Sequence, residues 1–282
     1  GYVELPPEEP GFGRGLCGRL LVHMYGTRKA ADGWHGEYSE TMESLGFERG
    51  VSSACVFWHS SRGLLSSVHG DDFTTAGAKE DLDWFKAKLQ EKYELKEGCR
   101  LGPAPQDDKE RRVLNRVVRW TTEGCCDEAD PRQYEKLVEE LRLEEAKSVA
   151  TPVVKKTAEE IAQDVELASG RVTQFRALAA RANYLSADRP DCQYAAKEVC
   201  RWMAAPTELA YQALKRLGKY LVGKPRLVWK FPWQEEMSLD VYTDTDWAGC
   251  LRTRKSTSGG CVFSGKHLLK SWSSTQQTLA LS

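Results

Sequence analysis

Leu64-Leu65-Ser66-Ser67-Val68-His69-Gly70-Asp71-Asp72-Phe73-Thr74-Thr75 is the stretch on which the fold of the first hundred residues turns. A short apolar run leads into His69-Gly70-Asp71-Asp72, which has turn chemistry, and Phe73-Thr74-Thr75 resumes a strand-forming pattern. The spacing predicts a strand–turn–strand unit with two adjacent carboxylates at its tip.

Working outward, Ala54-Cys55-Val56-Phe57-Trp58 reads as a further strand, and residues 36–45 read as a helix stopped by Gly46. Residues 79–93 read as an amphipathic helix with Leu82, Phe85 and Leu89 on one face. A loop rich in Pro and Asp over 102–108 precedes a strand-like run from Val113 to Trp120. Asp130-Pro131 is an N-cap followed by Pro at the first helical position, so a helix is expected to about Leu143. After Thr151-Pro152 and a polar linker come three helical stretches, roughly 171–187, 191–204 and 207–222, and then strands over 227–231, 238–245, 260–264 and 268–273.

The chain has 282 residues, 41% hydrophobic and 29% charged, with a formal net charge of -1. That is ordinary globular composition, and no window approaches the roughly eighteen apolar residues of a membrane span. The balance gives no global basic signature for nucleic acid, although local basic clusters can act within a groove. The nine cysteines include no Cys-x-x-Cys pair and the five His fall at no finger spacing, which predicts reduced, structural thiols in an intracellular protein. The opening Gly1-Tyr2-Val3-Glu4 has neither an initiator Met nor a signal peptide, so the chain is expected to be cut from something longer.

Two acidic sites invite chemistry. Nucleotidyl transfer uses two divalent cations about 3.5–4 Å apart, and Mg²⁺ favours carboxylate and phosphate oxygens, so a hairpin tip bearing Asp71 and Asp72 could be half of such a cage. Asp is also a common turn residue, and the pair reads equally as solvated surface. In an extended strand Asp240, Tyr242, Asp244 and Asp246 would point one way and Leu239 and Val241 the other, which is either a metal-binding acidic face or a half-exposed strand. Basic and aromatic residues interleave at Arg28-Lys29 with Trp34, at Arg201-Trp202, at Lys215-Arg216 with Lys219-Tyr220, and at Arg252, Arg254 and Lys255. They suit phosphate contact and base stacking, or a solvated helix face.

Taken in order, these features resemble the Pol polyprotein of copia-type LTR retrotransposons over nearly the whole chain. Met24-Tyr25-Gly26-Thr27-Arg28-Lys29-Ala30-Ala31-Asp32-Gly33-Trp34 is similar to the family's "LYGLKQAPRAW" motif, and Val68-His69-Gly70-Asp71-Asp72 stands in the place of its "YVDD" box. Gln133-Tyr134, Ala150-Thr151-Pro152, Arg189-Pro190-Asp191 and Arg216-Leu217-Gly218-Lys219-Tyr220-Leu221-Val222-Gly223 follow in the family's order. Tyr242-Thr243-Asp244-Thr245-Asp246-Trp247-Ala248-Gly249 with Arg254-Lys255-Ser256-Thr257-Ser258-Gly259 resembles the "YSDADWAG…RKSTSG" signature that opens the family's ribonuclease H, and is the most specific of these matches.

The resemblance implies an α+β fold: a right-hand polymerase with palm and fingers over 1–100, a helical thumb and connection over 101–224, and an incomplete ribonuclease H-like α/β domain over 225–282. It implies that Asp71, Asp72 and Asp244 are catalytic metal ligands for Mg²⁺ or Mn²⁺. Lys29, Arg28 and Gly70 would lie at the nucleotide or template. The partners implied are an RNA template, a DNA primer or RNA–DNA hybrid, dNTPs and the rest of the Pol polyprotein, in a cytoplasmic particle or the nucleus and away from membranes. The family's first catalytic Asp would fall upstream of Gly1 and its nuclease Glu just past Ser282, so the segment by itself is expected to have negligible polymerase activity.

The sequence departs from the pattern in two places. His69-Gly70 replaces Tyr-Val in the box, and Thr27-Arg28-Lys29-Ala30-Ala31-Asp32-Gly33 replaces the usual residues of the second motif. Two other readings stand beside the polymerase: a non-catalytic nucleic-acid-binding remnant, and a metal-dependent hydrolase using only the Asp240–Asp246 strand.

Overall fold

A computed structural model of the chain describes residues 1–96, 98–235 and 238–279. The chain divides into two units, residues 1–97 and 98–282, and mixes helix with antiparallel sheet in both, as an α+β fold requires. The last residues, 280–282, which the resemblance places just before the nuclease Glu, lie outside the described part.

In the first unit β1 (Tyr2–Glu4) and β2 (Cys17–Arg19) form a small antiparallel pair. Helix α1 (Arg28–Ser44) follows, then β3 (Glu48–Arg49), β4 (Val56–His59), β5 (Leu64–His69) and β6 (Asp72–Ala76), a four-stranded antiparallel sheet in chain order, and α2 (Lys79–Gln90). Side chains alternate across a strand, so β5 sends Leu64, Ser66 and Val68 inward while its other residues face out. The buried Ser66 hydroxyl is satisfied by Thr75 Oγ1 at 2.9 Å. With Tyr38 and Met42 of α1, Phe47, Phe57, and Phe85 and Leu89 of α2, these residues make the core.

Helix α1 starts eight residues before the start expected from sequence. Thr27 is the N-cap, its hydroxyl accepting from Ala30 N at 3.2 Å. Its end matches the expectation: Gly46 takes φ +93, and the Phe47 amide donates back to Met42 O at 3.1 Å. Phe47 and Met42 are also both core residues, so the capping geometry and the packing agree.

The second unit begins with β7 (Glu110–Val113), β8 (Arg116–Thr121) and β9 (Gly124–Glu128), then α3 (Pro131–Glu140), whose N-cap Asp130 accepts from Arg132 N at 3.1 Å. The continuous strand expected over 113–120 is instead a hairpin, because Leu114 and Asn115 both adopt positive φ, +47 and +66, and turn the chain. The polar linker contains a short helix, α4 (Ala158–Ala162), held by a capping box between Thr157 and Glu160. Helices α5 (Ser169–Ser186), α6 (Pro190–Cys200) and α7 (Glu208–Gly223) pack together through Phe175, Leu178, Val199, Leu214 and Leu217. Strand β10 (Val228–Pro232) adds to the free edge of β9, giving the order β10-β9-β8-β7.

Arg189, only 2% exposed, fastens this helical layer. Its guanidinium donates to both oxygens of Asp191, at 2.9 and 2.7 Å, and to the carbonyls of Lys224 and Pro225 just beyond α7. Tyr220 donates to the same Asp191 at 2.9 Å. The chain ends in an antiparallel meander of β11 (Leu239–Thr245), β12 (Lys255–Ser264) and β13 (His267–Leu279), with α6 against β13. The last two strands run longer than expected from sequence. Gly259-Gly260, a strand breaker in isolation, is tolerated because the Trp272 indole lies over Gly260 from the neighbouring strand. All nine cysteines are free, and among the described residues no helix is long and apolar enough to cross a membrane.

Candidate functional site

The β5–β6 hairpin closes on the pair His69 and Asp72, leaving Gly70-Asp71 as a two-residue loop. Gly70 has φ +62 and Asp71 does not take positive φ, the pattern of a type II′ turn, whose first position favours glycine. Asp71 and Asp72 are both exposed, and no hydrogen bond or ion pair engages either carboxylate among the described residues. Their oxygens are therefore available to a cation.

The tip is tied to α1. Trp34 Nε1 donates to the Gly70 carbonyl at 2.7 Å, and the Trp34 ring stands edge-on to Tyr38 and Tyr93, with centroids 5.7 and 5.3 Å away. Arg28 and Lys29 occupy the first turn of the same helix, exposed. Lys29 precedes Trp34 by five residues, about 7.5 Å along the axis at 1.5 Å per residue. One helix thus carries both the basic pair and the indole that holds the acidic tip. The sequence marks Trp34 as an aromatic near Arg28-Lys29 and as the last residue of the second motif; the long-range bond to Gly70 leaves no local signal.

Strand β11 is an edge strand, exposed along its whole length on both faces. Asp244 sits opposite Gly259 of β12, with no partner for its carboxylate among the described residues. Asp246 is different. Its Oδ1 accepts from Thr257 N at 2.7 Å and from Gly249 N at 3.4 Å, so it braces the turn after β11. Asp240 meets Ser238 Oγ at 3.3 Å. Among the described residues no three His, Cys, Asp or Glu side chains gather closely enough to hold a metal ion by themselves. Asp71 with Asp72, and Asp244, offer one or two carboxylates each, which fits ions that keep several ligands from water or substrate phosphate, as Mg²⁺ does.

The basic clusters separate on inspection. Arg201 is spent internally, on Glu198, on Thr253 and on Cys250 Sγ at 3.0 Å. That environment leaves the Cys250 thiol below its ordinary range: burial pushes it up, but the Thr253 and Arg201 hydrogen bonds outweigh this. Arg252 lies over Trp202 at 4.3 Å and Lys215 over Tyr211 at 5.2 Å, cation–π contacts within the fold. Sequence reading passed over the densest basic segment, 109–119, which a running charge count would have found.

Comparison with known proteins supports the resemblance that the chain order of the motifs carries. Homologues across nearly the whole chain are retrovirus-related Pol polyproteins from copia-type transposons. The Pol polyprotein from transposon RE2 of Arabidopsis thaliana is 27% identical over 98% of this chain, and that from transposon TNT 1-94 of Nicotiana tabacum is 26% identical over 100% of it. The uncharacterized mitochondrial protein AtMg00810 of Arabidopsis thaliana is 35% identical over 37% of this chain and 43% of its own length. The chain spans 18% of the RE2 polyprotein and 21% of the TNT 1-94 polyprotein. No protein-family model and no solved structure matches.

Proposed function

We propose that this chain is reverse transcriptase running into ribonuclease H within a copia-type Pol polyprotein that copies element RNA into DNA. The observation that carries the reading is the Trp34–Gly70 bond, which joins the basic helix and the Asp-Asp tip, the two parts that the family's motifs mark. In this reading residues 1–100 contain palm and fingers, residues 101–224 serve as thumb and connection, and residues 225–282, with β10 and the β11–β13 meander, open the nuclease.

Asp71 and Asp72 would hold Mg²⁺ or Mn²⁺, which supplies charge neutralisation at the triphosphate and activation of the primer hydroxyl. The protein's own contribution is positioning. Trp34 fixes the backbone that carries the carboxylates, while Arg28 and Lys29 lend positive charge for template or nucleotide phosphates. Asp244 would be a metal ligand of the nuclease. The substrates would be an RNA template, a DNA primer or RNA–DNA hybrid and dNTPs, and the setting an intracellular particle or the nucleus.

The test is RNA-templated dNTP incorporation by the polyprotein that carries these residues. Asp71→Asn and Asp72→Asn should each abolish incorporation, and Asp244→Asn should spare it while removing hybrid cleavage. Incorporation that survives Asp71→Asn overturns the reading. A second reading, a non-catalytic protein that binds nucleic acid, is favoured by one observation: no third carboxylate joins Asp71 and Asp72 among the described residues. It predicts salt-sensitive hybrid binding without turnover.

A further inference from the structure

The β7–β8 hairpin concentrates charge that the rest of the chain does not have. Residues 109–121 hold five cations, Lys109, Arg111, Arg112, Arg116 and Arg119, against the single anion Glu110, a net +4 within a chain of net charge -1. Not all of them are available. Lys109 donates to the carbonyls of Gly102 and Ala104 at 2.6 and 2.9 Å, and Arg119 is held between Glu110 and Glu128. The three that flank the turn differ. Arg111 is exposed and has no hydrogen bond or ion pair among the described residues. Arg112 and Arg116 reach Asp130 and Asp188, at 3.6 and 2.6 Å, yet their side chains stay 44% and 48% exposed while those acids are 2% and 17% exposed. The positive charge is on the outside and its partners are underneath.

The turn itself is unusual. Leu114 has φ +47, a conformation that asparagine and glycine accept and a branched apolar residue resists. Burial does not compensate, since Leu114 is 48% exposed. Asn115 is braced by Arg132 Nη2 at 3.3 Å. An apolar residue is therefore held out at the end of a two-stranded ribbon, in a strained conformation, with arginines on both flanks.

We propose that this hairpin is a contact for a nucleic-acid duplex, with Leu114 entering the groove and Arg111, Arg112 and Arg116 on the phosphates beside it. An apolar tip between basic flanks is the chemistry by which protein ribbons and arms seat in a groove, the arginines supplying affinity and the wedge opening a base step. A contact to an acidic protein would use the same charges, and competition by polyglutamate separates it from a nucleic-acid duplex. The proposal deepens the polymerase reading by naming where the RNA–DNA hybrid is held, and rests on that reading for the choice of hybrid.

The test is fluorescence anisotropy of a short labelled RNA–DNA hybrid titrated with the full chain without metal, across a salt series, so that it needs no turnover. Arg111→Gln should weaken binding and reduce the salt slope by about one contact. Leu114→Asn should raise the melting temperature, because asparagine suits the turn, and still weaken hybrid binding severalfold. A structural role for Leu114 would couple those two readouts with the opposite sign. Failure of the wild-type chain to bind, binding by both variants as tight as that of the wild-type chain, or displacement by polyglutamate as effective as by unlabelled hybrid each overturns the proposal. Asp71-dependent incorporation is measured separately, so its loss would leave the hairpin result legible.

Discussion

The indole of Trp34 donates to the carbonyl of Gly70, 36 residues away in sequence, and is the link that sets the acidic tip against helix α1. Trp34→Phe keeps an aromatic ring against Tyr38 and Tyr93 but removes the donor. A net hydrogen bond contributes about 1 kcal/mol, so a modest fall in stability is expected. The local effect should be larger: amide exchange at residues 69–72 should quicken while that of α2 stays unchanged. Uniform exchange across the unit would show that the bond does not hold the tip.

Gly70 takes φ +62, and a Cβ there would meet nothing within 4 Å. Substitution is opposed by the backbone alone. Gly70→Ala should cost about 1–2 kcal/mol, and the β-branched Gly70→Val more. Chemical denaturation of the three proteins ranks them. If the valine variant is as stable as the parent, the tip uses a different turn.

The pair of Arg189 and Asp191 lies within the helical layer of the second unit. Removing one partner leaves a largely buried charge, which costs about 3 kcal/mol or somewhat less where, as here, Asp191 keeps 24% side-chain exposure. Arg189→Ala should unfold the 98–282 unit at markedly lower temperature, and Arg189→Ala with Asp191→Asn should recover part of the loss. A double variant no better than the single one would mean that the carbonyl contacts, and not the ion pair, matter most.

Acid should act on this unit through depressed carboxyls. The Arg226 hydrogen bond, aided by Arg119 and opposed by burial, holds Glu128 below its ordinary range. Burial raises Asp191, but Arg189 and Tyr220 outweigh it and its net shift is also downward. A carboxyl with a folded pKa below the unfolded one, about 4, stabilises the fold above that value and loses the contribution as pH falls through the folded pKa. Stability measured by urea should therefore be flat near neutrality and decline below about pH 4. Glu128→Gln should be less stable at neutral pH and show a shallower decline in acid.

Much of the frame was legible because it depends on local chemistry. The β5–β6 hairpin followed from Gly70-Asp71, and α3 and α6 followed from Asp130-Pro131 and Pro190. What escaped depends on contacts between distant residues. The first two turns of helix α1 were not read as helix: its four buried residues all fall between Tyr38 and Met42, and what holds the earlier part is the contact of Trp34 with Tyr93 and Gly70. The turn at Leu114-Asn115 has no glycine to announce it. Asp246 looked like Asp240 and Asp244 by alternation alone, and only the fold shows that its carboxylate is committed to the Thr257 and Gly249 amides.

Gly124 gives the sharpest test of the sheet in the second unit. It opens β9 opposite Pro232 of β10, with φ +156. A Cβ built there would lie 2.1 Å from the Phe231 carbonyl oxygen and 2.6 Å from Pro232 Cα. Both are backbone atoms, so no rotamer change relieves the clash, and the strands must part. Overpacking of this kind costs about 3 kcal/mol. Gly124→Ala should therefore lower the unfolding midpoint and raise amide exchange along residues 228–231, while leaving the α5–α7 helices protected. The contrast is informative because Gly170, near the start of α5, has nothing within 4 Å of a Cβ. Gly170→Ala should be neutral or stabilising through the unfolded chain, by up to about 1 kcal/mol. If the two alanine variants behave alike, β10 is not seated on β9 as described.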